Sequence, residues 1–353
     1  MNGANNFHKF HGGIKDEDIL DFSISVNPFV PEFILQVLGK KLQNLRRYTY
    51  VEWIEEDFRK HFGSNSVIIS GATEAFHILG WTLMEDAHVI IPTPNYTEYE
   101  RVATFKAKEI IKVNYVEARE IELDILKNIL ETTASRLKKH KKIIVITGNP
   151  NNPTGIYKDY SILLEWSLSK YGTDVIFVID EAFIDFVPEK LRIELDERIY
   201  PNLIVIRSFT KILGLPGVRV GYVKSVQFKE LFEKYRIPWA IGGDGYTLLE
   251  AIMENKEKYE NFVRQTQQYF AEQRERFSEF IYFLSLTNYI VVKVGDVKKF
   301  IAKLNEERMH AREMFDFGIN DSVRIGLKKP EHNEKILKFL ILWWKEMKRW
   351  INQ

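Results

Sequence analysis

Cysteine is absent from this chain of 353 residues, and that absence excludes disulfide staples, thiolate zinc sites and thiol nucleophiles. Net charge is nearly absent too. With 50 Lys+Arg against 49 Asp+Glu the formal charge is +1, so no global field draws the chain to nucleic acid or an anionic membrane, and neither is expected as a partner. Any anion site must therefore be local. Long apolar runs are missing as well: the longest near the end, Phe339 to Trp344, is far shorter than the roughly 20 residues of a membrane span. The opening "MNGANNFHKFHGG" lacks the basic and apolar regions of a secretory signal. A soluble protein of a reducing compartment, cytoplasmic, is expected.

What is present is enough apolar material for a full core. The composition is 45% hydrophobic and 13% aromatic, and the length suits about two domains. Short β-rich runs recur at Val67 to Ser70, His88 to Ile91, Ile143 to Thr147, Val175 to Ile179 and Leu203 to Ile206, separated by longer segments of helical period such as Tyr160 to Lys170. Buried runs alternating with helices predict an α/β fold with a mainly parallel sheet covered on both faces. After Gly245 the pattern changes to "YTLLEAIMENKEKYENFVRQTQQYFAEQRERF", which has no Gly or Pro and reads as one long helix. The segments "YIVVKV" and "SVRIGL" and the terminal helices then suit a smaller α+β domain. The expected division is an arm with part of the small domain at 1–40, a large domain at 41–245, and a linking helix with the rest of the small domain at 246–353.

Ligands of such sheets bind where the strands end at their carboxyl edge, so the residues just after each run are the candidates for a site. "GATEAFHIL" opens a helix whose first N–H groups, at Ala72 and Thr73, would face an anion. "GNPNNPTG" is a proline-braced turn that projects asparagine amides. "DEAFIDF" places Asp180 where an apolar run stops, and a carboxylate there is costly unless it has a partner. "RSFTKILGLPGVRVGY" gathers a lysine, two hydroxyls and an arginine in one loop. Pyridoxal phosphate requires all of these: an amine for its aldehyde (Lys211), a carboxylate to keep its ring nitrogen protonated (Asp180), and phosphate ligands, for which Ser208, Arg219 and the amides of Ala72 and Thr73 are the candidates.

The ordered set "GATEA", "NPNNPTG", "DEAF", "RSFTK" and "GVRVGY" resembles the fold-type I pyridoxal-phosphate enzymes of the aminotransferase superfamily across the whole central region. The resemblance implies a seven-stranded type of sheet, a homodimer with shared active sites, and further roles. Asn152 would touch the cofactor's phenolic oxygen and Tyr96 would stack on its ring, Tyr99 being the neighbour to distinguish from it. Tyr48, in "RRYTY", would reach the phosphate in the neighbouring subunit, although Thr49 stands where the family has proline. Arg324, in "SVRIGL", would bind the substrate carboxylate, as a planar guanidinium suits.

Two subgroups compete, threonine-phosphate decarboxylases and histidinol-phosphate aminotransferases, both acting on phosphorylated amino compounds. His11-Gly12-Gly13, "DFSISVNP", Phe183 and Pro216-Gly217 resemble the decarboxylases, with Ser25 departing from the usual asparagine. On that side Arg312 and His11 are candidates for the substrate phosphate, and Asn27 is a further substrate-binding candidate. Either activity is open to one scaffold, because the bond at Cα held perpendicular to the cofactor ring is the one that breaks.

Overall fold

The computed structural model describes residues 12–40, 42–137 and 141–351. Its main sheet has seven strands: β1 (Ser66–Ile69), β2 (His88–Thr93), β3 (Glu109–Asn114), β4 (Ile143–Gly148), β5 (Val175–Asp180), β6 (Leu203–Ser208) and β7 (Gly221–Lys224). The spatial order is β1-β7-β6-β5-β4-β2-β3, parallel except for β7, which runs antiparallel to both of its neighbours. The central strands β4 and β5 are buried at every position and rich in Ile and Val, as expected of strands covered on both faces. Alternate residues feed two separate apolar layers: Ile144 and Ile146 pack with the helix α1 (Gly71–Trp81), while Ile143 and Val145 pack with Leu126, Leu130 and Leu164. β3 lies at the edge and is only part-buried, which tolerates its Glu, Lys and Asn.

Three further strands form a small antiparallel sheet, β8 (Tyr289–Lys293), β9 (Arg312–Glu313) and β10 (Ser322–Gly326), in the order β8-β10-β9. Leu20–Asp21 pairs in parallel with Met309–His310, which stitches the amino-terminal segment to the carboxyl-terminal third. The core is shared as well, since a single apolar cluster runs from Phe209 and Tyr222 to Val292 and Ile325.

The single long helix expected after Gly245 is two helices, α2 (Gly243–Glu254) and α3 (Lys256–Arg276). Asn255 breaks them apart, with φ −126° and ψ 42°. Its backbone N–H and its side-chain amide both donate to the Ala251 carbonyl, at 3.1 and 3.0 Å, and its own carbonyl accepts from Tyr259 N–H at 3.0 Å. A short amide competes in this way with the helical ladder, so one asparagine ends one helix and begins the next. No described helix is long and apolar enough to cross a membrane.

Candidate active site

A cavity of about 360 Å³ opens at the carboxyl ends of the parallel strands. The near walls arise from strand ends. β5 terminates in Asp180, locked in register with Gly148 of β4 and Ile206 of β6. β6 terminates in Ser208, whose hydroxyl accepts from Thr210 N–H at 3.3 Å and so starts the short turn that carries Lys211. The Lys211 carbonyl accepts from Asn27 N–H at 3.0 Å, which pins that turn.

Asp180 is held from two sides. Tyr99 donates its hydroxyl to Oδ2 at 2.7 Å, and Ala182 N–H donates to Oδ1 at 2.9 Å. Burial pushes the carboxyl up to about 6, while these two donors pull the other way by favouring the charged form. Lys211 is shifted down to about 8, first by burial and then by the charges of Arg324 and Arg219. Its Nζ lies over the Phe183 ring, 5.9 Å from the centroid. Phe183 thus forms part of the cavity wall.

Tyr96 and Tyr99 are one helical turn apart and face differently. Both line the cavity, but Tyr96 is part-exposed there, whereas Tyr99 is fully buried with its hydroxyl on Asp180. The donor role of Tyr99 was not read from the sequence; the spacing of three from Tyr96 was the available signal.

The anion-facing end is built around Gly71. Its φ is +71°, and a Cβ there would lie 2.7 Å from Arg219 Nη2, so only glycine lets the guanidinium rest against the start of α1. Ala72, Thr73 and Ser208 line the same end.

The far wall belongs to the small sheet. Arg324 Nη1 donates to Asn152 Oδ1 at 2.5 Å, Nη2 donates to Ser23 O at 3.2 Å, and the guanidinium lies over the Tyr289 ring. Burial lowers Arg324 to about 10. Using the amide oxygen of Asn152 in this way leaves its NH2 group as the donor. Arg312 lines the cavity beside Arg324 and pairs with Asp316 at 2.5 Å. Among the lining side chains, four are cationic (Lys211, Arg219, Arg312, Arg324) and one is a carboxylate (Asp180).

Two expected residues, Asn27 and Tyr48, are not in this wall. Asn27 is buried outside it, its amide donating to Ile212 O at 2.7 Å and its Oδ1 accepting from Phe29 N–H at 3.1 Å. It braces the lysine turn, and its polar atoms are occupied, which corrects the expectation of substrate contact. Tyr48 is 69% exposed and rests on Trp239, outside the cavity of its own chain. His11 lies outside the described residues; the adjacent Gly12 lines the cavity. A larger cleft of about 480 Å³ borders Arg207 and Tyr222, but its acidic and basic side chains are in balance and it contains none of the expected groups.

The family model for aminotransferase class I and II matches residues 21–340. An adenosylcobalamin biosynthesis bifunctional protein CobDQ of Leptospira interrogans is 28% identical over 92% of this chain, which spans only 39% of that longer protein. A histidinol-phosphate aminotransferase of Leuconostoc citreum is 26% identical, with 77% of this chain and 75% of the relative covered. The crystal structure of L-threonine-O-3-phosphate decarboxylase from Porphyromonas gingivalis superposes with a TM-score of 0.75 at 20% identity, covering 93% of this chain and all of that one, so the fold is shared. A family match over nearly the whole length, on a fold of the same kind, places this chain in the aminotransferase class I and II family of pyridoxal-phosphate-dependent enzymes.

Proposed function

We propose that this chain binds pyridoxal 5'-phosphate and acts on a phosphorylated amino compound, with decarboxylation of L-threonine O-3-phosphate, a step toward the cobalamin side chain, as its reaction. The observation that carries the reading is the charge of the cavity, four cationic side chains against one carboxylate. Asp316, paired with Arg312 behind the wall, offsets only part of that excess, and a cofactor phosphate, a substrate carboxylate and a substrate phosphate would supply the remaining anions.

The residues fit the cofactor. Gly71 leaves the space in which Arg219 and the first turn of α1 converge, two positive ends that call for an anion between them. Lys211, Asp180, Asn152, Tyr96, Ser208, Arg219 and the N–H groups of Ala72 and Thr73 would hold it, with Tyr48 contributed by a second copy. When bound, pyridoxal phosphate supplies an electron sink for charge developing at the carbon that bears the amino group. Asp180 would hold a proton at the ring nitrogen. Lys211, which burial and its cationic neighbours bring down to about 8, would accept or return a proton at Nζ. Arg324 would orient the substrate carboxylate and Arg312 the distal anion, and together they would fix which group at Cα is presented for bond breaking.

Decarboxylation is favoured by "HGG", "DFSISVNP", Phe183 and Pro216-Gly217, and by the relative named for adenosylcobalamin biosynthesis. Amino transfer from histidinol phosphate or a related amino acid is the second reading, favoured by the relative so named. The experiment offers L-threonine O-3-phosphate and histidinol phosphate separately to the cofactor-loaded protein. Carbon dioxide from the first is expected. Amino transfer to a 2-oxo acid from the second would favour the other reading, and silence with both would reject a phosphorylated substrate.

A further inference from the structure

Arg312 and Arg324 are directly opposite one another in the β9–β10 ladder, so two guanidinium groups project from the same face of a two-strand contact and both reach the cavity. Like charges in that relation repel. The charge that makes the arrangement tolerable is Asp316. Its Oδ2 accepts from Arg312 Nη2 at 2.5 Å, its side chain is 5% exposed, and its charge acts on Arg324 as well. Phe317, the next residue, packs its ring beneath the Arg312 guanidinium, with the cation 5.3 Å from the centroid, so the turn that carries the acid also sandwiches the base. The group is not balanced. There are two cations to one anion, Asp316 Oδ1 is buried with no hydrogen-bond partner, and so is Arg324 Nε.

An orphaned carboxylate oxygen beside a paired arginine describes a contact able to rearrange. Resting on the reading that Arg312 receives the substrate's distal anion, we propose that Asp316 is a specificity-determining residue: it is a built-in counter-ion that this anion must displace from Arg312. A substrate without a distal anion leaves the Arg312–Asp316 pair intact. One with a distal phosphate must compete with Asp316 for the guanidinium and meets its charge at close range. Asp316 therefore weakens binding of phosphorylated ligands selectively, while keeping two opposed arginines compatible with a folded sheet.

The test compares cofactor-loaded wild type, Asp316→Asn, Asp316→Ser and Arg312→Gln, titrated with L-threonine O-3-phosphate and with L-threonine, binding being followed by the visible absorbance of the cofactor. Asp316→Asn is nearly isosteric and removes only the charge, and Asp316→Ser serves if it does not fold. Either should tighten the phosphorylated ligand about tenfold, the scale of removing one neighbouring charge, and move L-threonine by less than about twofold. General damage to the turn would instead weaken both ligands, so selective tightening is not a structural effect. Unchanged or weaker binding of the phosphorylated ligand by the Asp316 variants, with Arg312→Gln weakening it, overturns the counter-ion role alone. If Arg312→Gln leaves that ligand's affinity unchanged, the reading of Arg312 fails, and the inference falls with it.

Discussion

Lys211 owes its chemistry to its surroundings: burial, then Arg324 and Arg219, bring a group of ordinary value 10.5 down to about 8. The lowered value means that the neutral amine predominates above about pH 8. Labelling of Lys211 by an amine-specific reagent in the cofactor-free protein should therefore rise with a midpoint near 8. In Arg324→Gln the midpoint should move up, because a repelling charge is gone; a wild-type midpoint near 10.5 would mean an exposed lysine. Asp180 shifts the opposite way, to about 6 from 3.8, and Tyr99 restrains it. Tyr99→Phe removes a donor to the charged form, so the infrared band of the protonated carboxyl should persist to higher pH than in wild type. Persistence to the same pH would mean that Tyr99 does not restrain Asp180. Phe183 lines the cavity, and on the proposed reading a tyrosine hydroxyl there would donate to the cofactor's phenolic oxygen. With cofactor bound, Phe183→Tyr should move the visible-absorbance transition to lower pH. No shift in a variant that binds cofactor normally would place residue 183 away from that oxygen.

At the scale of elements, the start of α1 depends on one glycine. Gly71→Ala forces a side chain into left-handed backbone, which costs roughly 1–2 kcal/mol, and places its methyl 2.7 Å from Arg219 Nη2. Chemical denaturation should show a loss of about that size, together with weaker cofactor affinity as the guanidinium is displaced. Unchanged affinity would remove the first turn of α1 from the anion site. The helix–strand alternation was legible because fully buried Ile and Val runs admit few other structures. Other elements were not. The break at Asn255 escaped because asparagine carries only a modest helical penalty, and what ends the helix is a set of hydrogen bonds made in place. The edge strand β3 reads EIIKVN, whose charges suit solvent as well as a sheet, and only pairing with β2 defines it.

For the whole molecule, the exposed aromatic side chains matter most. Tyr48, Trp53 and Trp239 are 69%, 66% and 53% exposed, Tyr48 and Tyr50 both pack against Trp239, and Tyr50 stacks on Trp53. A contiguous aromatic surface of this kind is expected to be covered, and in the proposed homodimer a second copy covers it. Light scattering should give a dimer, Trp239→Lys should shift it toward monomer, and Tyr48→Phe should lose cofactor affinity. A fully active monomer would defeat the proposal. The sequence by itself determined the α/β class and the order in which Asp180, Lys211 and Arg219 come at or beyond the ends of β5 and β6, because in a parallel sheet successive strand ends converge on one edge. Only the tertiary structure decided that Asn27 braces the lysine turn, that Tyr99 holds Asp180, and that Arg324 meets both Asn152 and the charge of Asp316. Most of these contacts join residues far apart in the chain, and each depends on which way a side chain turns once the backbone is in place, which local pattern does not encode.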